Sequence, residues 1–112
     1  MNASDVLDFW FDKAEAPRSE WFRKDEGFDA LIRGRFGATI EAALDGSLDA
    51  WHEAGDAQAL ARILVLDQFT RNVFRGSARA FAGDAQALAA SQNLIALGRD
   101  RRLPPLQRLF VY

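Results

Sequence analysis

The chain has 112 residues, 49% of them hydrophobic and 27% charged, with a net charge of −2. That is one domain by length, of ordinary globular composition and without the basic excess of a nucleic-acid binder. It has no Cys and a single His, His52, which excludes disulfides, thiolate zinc sites, a Cys nucleophile and any multi-histidine metal site.

The N-terminal stretch MNASDVLDFWF has no basic leader and carries Asp5 and Asp8, which argues against a signal peptide. The longest uninterrupted apolar run, Ile63 to Leu66, is far short of a membrane span. The expected location is the cytoplasm, with neither a membrane nor nucleic acid as partner. No glycine-rich phosphate loop, nucleophile elbow or metal-ligand spacing occurs, so no cofactor and no metal are expected.

Val, Ile and Thr are few and never alternate with period two, so the chain reads as all-α. A first helix is expected from Ser4 or Asp5 to about Lys13, with Val6, Leu7, Trp10 and Phe11 on its apolar face. Ala14 to Ser19 reads as a loop around Pro17, followed by Trp21 and Phe22 as an aromatic anchor. Asp25 is a good N-cap for a second helix, in which Phe28, Leu31, Ile32, Phe36, Ile40, Ala43 and Leu44 recur at helical spacing. Asp45-Gly46 stops it. Gly34 and Gly37 interrupt this helix, and close approach of a neighbouring helix is the expected reason.

A short helical turn is expected around Leu48 to Trp51, ending at Gly55. Asp56 then caps a third helix running to about Phe74 and closed by Gly76. Asp84 caps a fourth helix to about Leu97, with Gly98 as its stop. Pro104-Pro105 opens a fifth, with Leu106, Leu109 and Phe110 on one face. The heptapeptide GDAQALA occurs at Gly55–Ala61 and again at Gly83–Ala89. Both copies fall at predicted helix starts, and two similar starts in an Ala-rich chain account for the echo better than a structural repeat.

The segment LDQFTRNVFRG, Leu66 to Gly76, is the one stretch with a functional pattern. On a regular helix of about 100° per residue, Asp67, Gln68, Arg71, Asn72 and Arg75 share one stripe. Leu66, Phe69, Val73 and Phe74 take the other side. Upstream, Leu60, Leu64 and Val65 make the helix apolar all round, as a buried helix would be. Asp67 stands where the core ends, and Arg71 one turn on is its natural partner. Two readings stay open. In one, Asp67–Arg71 is a structural pair, Gln68 and Asn72 bond nearby backbone, and Arg75 is solvated. In the other, the stripe lines a pocket. Arg71 and Arg75, with Arg79 as a further candidate, would then hold a carboxylate or phosphate, while Gln68 and Asn72 orient it and Asp67 positions Arg71 or acts as a base. His52 reads as a surface or packing residue, Asp5, Asp25, Asp56 and Asp84 as caps, and the Trp and Phe residues as core.

LDFWF at Leu7–Phe11, WF at Trp21-Phe22, FDALIRGRF at Phe28–Phe36, LDQFTRNVFRG and AFAGD at Ala80–Asp84 occur in that order. Together they resemble a bacterial family known only as domain of unknown function 924, similar to tetratricopeptide-like helical folds. The resemblance implies an antiparallel array of helix hairpins, about five helices in all, with no established activity. It also implies a shared role for Asp67, Gln68, Arg71 and Asn72. The chain departs from the family pattern at Thr70, where Pro is favoured, and at Gly83, where a polar residue is usual. The pattern also continues past Phe110–Tyr112 into a His-Ser-Glu element and further helices. A chain ending on this apolar tripeptide is therefore expected to be the N-terminal portion of a longer family domain, and its apolar C-terminal face to be covered by a second copy. Three functions fit: a helical domain that binds an anionic small molecule or an acidic peptide at Asp67–Arg75; an enzyme acting on a small anionic metabolite, with Asp67 as base; or a structural module that assembles with its own kind.

Overall fold

The computed structural model describes residues 1–11, 18–21 and 24–112. The expected end of the first helix at Lys13, the loop centred on Pro17 and the anchor residue Phe22 lie outside the described residues. Among the described residues the fold is all-α, with no strand. Nor, among these residues, is any helix long and apolar enough to cross a membrane.

Helix α1 spans Ala3–Phe11. It starts slightly earlier than expected because Asn2 and Asp5 cap each other's backbone. The Asp5 N–H donates to Asn2 Oδ1 at 2.8 Å, and the Asn2 N–H to Asp5 Oδ2 at 2.9 Å. Both satisfy donors that a helix start otherwise leaves unpaired. Its last carbonyls are closed from outside the helix. Arg18 donates to the Phe9 and Trp10 oxygens, and Trp21 Nε1 donates to Trp10 O.

Helix α2 spans Glu26–Leu44, with Asp25 accepting from the Phe28 N–H at 2.9 Å as a true N-cap. Phe28, Ile32, Phe36, Ile40 and Ala43 are buried, as their spacing predicted, while Leu31 is 55% exposed. Helix α3, Trp51–Ala54, is the anticipated short turn. Helix α4, Asp56–Leu64, continues through a π-helical turn at Val65–Phe69 into α5, Thr70–Val73. Helix α6 spans Asp84–Ala96, and Gly98 ends it in the left-handed conformation at φ 70°, a geometry that Gly adopts without a Cβ penalty. Helix α7 is the single turn Pro105–Arg108.

Helix α4 is the centre of the molecule. It packs on α1, α3 and α6, and its π-helical continuation packs on α2 and α6. Leu60, Ala61, Ile63, Leu64, Val65 and Leu66 are buried, so the helix is buried all round, and Arg62 alone departs from the apolar run expected there. An aromatic cluster fills the space beside it. Phe69 lies 5.1 Å from Phe36 and 5.7 Å from Trp10, and Phe9 stacks on Phe28 at 5.2 Å.

Two sequence expectations are corrected. Asp56 and Asp84 begin their helices but cap neither, since no side-chain cap bond forms at either start. Their carboxylates serve partners distant in sequence instead. Gly34 and Gly37 have no atom of the described residues within 4 Å of where a Cβ would stand, so no neighbouring helix among those residues explains them. A prediction follows from helix propensity alone. Gly34→Ala and Gly37→Ala should each stabilise the fold by about 1 kcal/mol, read as a higher urea midpoint. A lower midpoint would show that something does pack on that face of α2.

Candidate functional site

The segment Leu66–Gly76 begins inside the π turn. Such turns pair N–H groups five residues back, are rare, and cluster at functional sites. Here the turn contains Asp67 and Gln68. On one side of it the Leu66 carbonyl accepts from the Thr70 hydroxyl at 2.8 Å. Gly83 lies against the same carbonyl so closely that a Cβ there would overlap its oxygen. The wheel drawn from a constant 100° per residue assumes an unbroken α-helix. Asp67 and Arg71 stay paired across the π turn, but α5 ends at Val73, so Arg75 leaves the helix and the single polar stripe becomes two clusters.

The first cluster faces α6. Arg71 Nη2 lies 3.3 Å from Asp67 Oδ1, the expected pair one turn apart, and 3.3 Å from both oxygens of Asp84. Gln68 Nε2 donates to Asp67 Oδ2 at 2.7 Å. The Arg71 guanidinium also sits 5.5 Å over the Phe81 ring. Asp67, Arg71 and Asp84 border a groove of about 270 Å³ whose walls include Ile63, Leu88 and Val111. Two carboxylates on one guanidinium leave this groove net acidic. Tyr112 is at its edge and donates to Asp100 Oδ2 at 2.7 Å. That bond, with some desolvation, holds the phenol above its ordinary pKa.

The second cluster faces α2. Asn72 Nδ2 donates to Asp29 Oδ1 at 2.7 Å, and Arg75 Nε to Asp29 Oδ2 at 2.6 Å. Asp29 is 7% exposed, so its charge is held by this pair of donors rather than by water. Arg33 Nη2 donates to the Val73 carbonyl at 2.8 Å, at the end of α5. Arg33, Asn72 and Arg75 line a cavity of about 300 Å³ together with Lys24, Glu26 and Asp29.

Each expected site residue is therefore near a cavity or bonded to a residue that is, but no single pocket holds all five. Asp67 and Arg71 fall on one side with Gln68 bonded to Asp67, Asn72 and Arg75 on the other. The structural reading of the stripe holds for the Asp67–Arg71 pair and is corrected at the other three residues. Gln68 and Asn72 bond carboxylates and not backbone, and Arg75 is paired with Asp29 and not merely solvated. Arg79 is engaged elsewhere, donating to both oxygens of Glu41 and lying 4.4 Å over Phe74.

Asp29 is the residue that sequence reasoning missed. A signal was present. Asp29, Ile32, Phe36 and Ile40 fall three, seven and eleven residues apart, on the core face of α2, where a carboxylate needs a partner. Among the described residues, no three His, Asp or Glu side chains stand close enough to hold a metal ion.

A family model described as bacterial protein of unknown function (DUF924) matches residues 6–112. Among solved structures, the chain is similar to a protein of unknown function from Agrobacterium tumefaciens. The two are 38% identical with a TM-score of 0.88, and the match covers 98% of this chain and 60% of that one. The chain thus spans 60% of the length of that relative. No curated protein matches it.

Proposed function

The chain belongs to the DUF924 family of bacterial proteins of unknown function, and from its own side chains we propose that it is a helical binding domain whose anion-recognising surface is the α2–α5 face at Arg33, Asn72 and Arg75. The observation that carries this reading is the charge balance of the two clusters. Arg71 already lies between Asp67 and Asp84, so an anion arriving there meets two carboxylates. On the α2–α5 face three cations, Lys24, Arg33 and Arg75, line one cavity against Asp29 and Glu26.

Both arginines on this face are held in place before any ligand arrives. Asp29 takes the Nε and Nη2 edge of Arg75, and Val73 O takes one Nη2 proton of Arg33. A guanidinium has five N–H donors, so each keeps donors for a second acceptor. Pre-positioned planar forks suit a carboxylate or phosphate and reduce the ordering cost of binding. The cavity of about 300 Å³ fits a small molecule or the acidic end of a peptide.

Thermal unfolding with citrate and with inorganic phosphate tests this. A ligand at 100 times its Kd should stabilise the wild type by about 2.7 kcal/mol. Arg75→Ala and Arg33→Ala should lose that gain, and Arg71→Ala should keep it. If Arg71→Ala loses the gain while Arg75→Ala keeps it, the α6 groove is the site and this reading is wrong.

A further inference from the structure

A second arginine site lies apart from the stripe, on α4. Arg62 interrupts the buried run between Ala61 and Ile63 and is itself only 8% exposed. Its Nη2 donates to Asp49 Oδ1 at 3.1 Å. Its Nε is buried and has no partner among the described residues. A charged group with an unpaired buried donor is costly, and the cost persists unless something supplies the missing acceptor. Nε and Nη2 form one edge of the guanidinium, the edge that a carboxylate fills with two parallel bonds. Asp49 fills only half of it, from a side chain that is 65% exposed.

Beside this edge is a depression of about 350 Å³, lined by Arg62, Asp49, His52, Gln86 and Asn93 and floored by two alanines. His52 Nε2 is 2.7 Å from Asn93 Oδ1. A carbonyl oxygen only accepts, so Nε2 carries the proton, and the Nδ2 protons of Asn93 are left as donors. His52 Nδ1 is also buried without a partner among the described residues, but as the unprotonated nitrogen it is an acceptor and does not call for an anion. The orphaned donor therefore sits on a cation more than nine-tenths buried, whose residue lines this depression.

We propose that this cavity binds a small carboxylate on the Nε–Nη2 edge of Arg62, with Asn93 Nδ2 as a further donor, and that Asp49 is the internal group the ligand displaces. Asp49 is suited to this role because it gives one bond from a mostly solvated side chain and can turn into water at little cost. Its charge opposes that of the ligand, so it also limits affinity. Removing that charge while keeping the side chain's shape should tighten binding.

His52 is the only histidine in the chain, so its ring proton resonances report on this cavity alone. Sodium acetate is titrated at constant ionic strength, with chloride as the balancing anion. In the wild type the His52 signal should move and saturate. In Asp49→Asn it should saturate at an acetate concentration at least fivefold lower, and in Arg62→Lys it should not saturate. If Arg62→Lys does not fold, the comparison of wild type with Asp49→Asn decides. A response that fails to saturate in both, or one that Asp49→Asn leaves at the same midpoint, overturns the proposal. Equal saturation by chloride would also overturn it, since the site would then select only charge.

Discussion

Replacing Phe69 by alanine should destabilise the fold by about 3–5 kcal/mol, the range for removing a large aromatic from a packed core. Phe69 closes the π turn and has no exposed surface. Its ring meets Phe36 at 5.1 Å, Trp10 at 5.7 Å and Phe9 at 6.3 Å. These rings come from α1 and α2, so the cavity left behind opens where three elements meet. None of them can close it without giving up contacts of its own. Against a total stability of about 5–15 kcal/mol, the variant would be partly unfolded near physiological temperature. Urea unfolding measures the loss. Leu88→Ala, at a residue 59% exposed, is the comparison and should change stability by about 0.5 kcal/mol or less. A loss at Phe69 below about 1.5 kcal/mol would mean that the aromatic cluster refills the space, and that the π turn does not depend on this ring.

Phe69 also shows what was legible in the sequence. Its burial followed from phase, as did that of Leu66, Val73, Ile32, Phe36 and Ile40. Periodicity works here because each helix keeps one face to the core over several turns. The stops were legible for a local reason as well. Gly46, Gly76 and Gly98 all have positive φ, and the Asp25 cap needs only a backbone N–H three residues on. These signals involve neighbours in sequence.

What was not legible involves partners far along the chain. Asp56 and Asp84 have the residue type and position of caps, yet Asp56 binds Arg99 and Arg102 while Asp84 binds Arg71. Nothing local distinguishes an acid that caps from one that pairs across the fold. The division of the polar stripe was hidden for a different reason. The helix ends at Val73, with Phe74 at φ −107°, so Arg75 stands on a turn where a wheel drawn at constant phase no longer holds. Asp67 and Arg71 face α6, while Asn72, about 100° round from Arg71, and Arg75 face α2. Arg62 could have been singled out, since a cation inside an otherwise buried run signals either a partner or a site.

Gly83→Ala should destabilise by about 1–3 kcal/mol, an overpacking effect rather than a conformational one. The backbone at Gly83 has φ −95° and ψ −2°, the bridge region that non-glycine residues occupy in turns, so the dihedral does not require glycine. The obstacle is the neighbour. An added Cβ would overlap the Leu66 carbonyl oxygen and stand 2.9 Å from the carbonyl carbon. Both are main-chain atoms of the π turn, which cannot swing aside as a side-chain tip can. Relief requires α6 to retreat from the turn, and Asp84 would move with it, away from Arg71. The variant should therefore change two observables together. The urea midpoint should fall, and Arg71 should lose its Asp84 contact, read as altered chemical shifts at the Arg71 guanidinium. Asp84→Asn separates the two effects, because it weakens the same pair without crowding and should cost about 1 kcal/mol or less at this half-exposed position. If Gly83→Ala costs no more than Asp84→Asn, the close approach of α6 to the Leu66 carbonyl is not what holds this corner together.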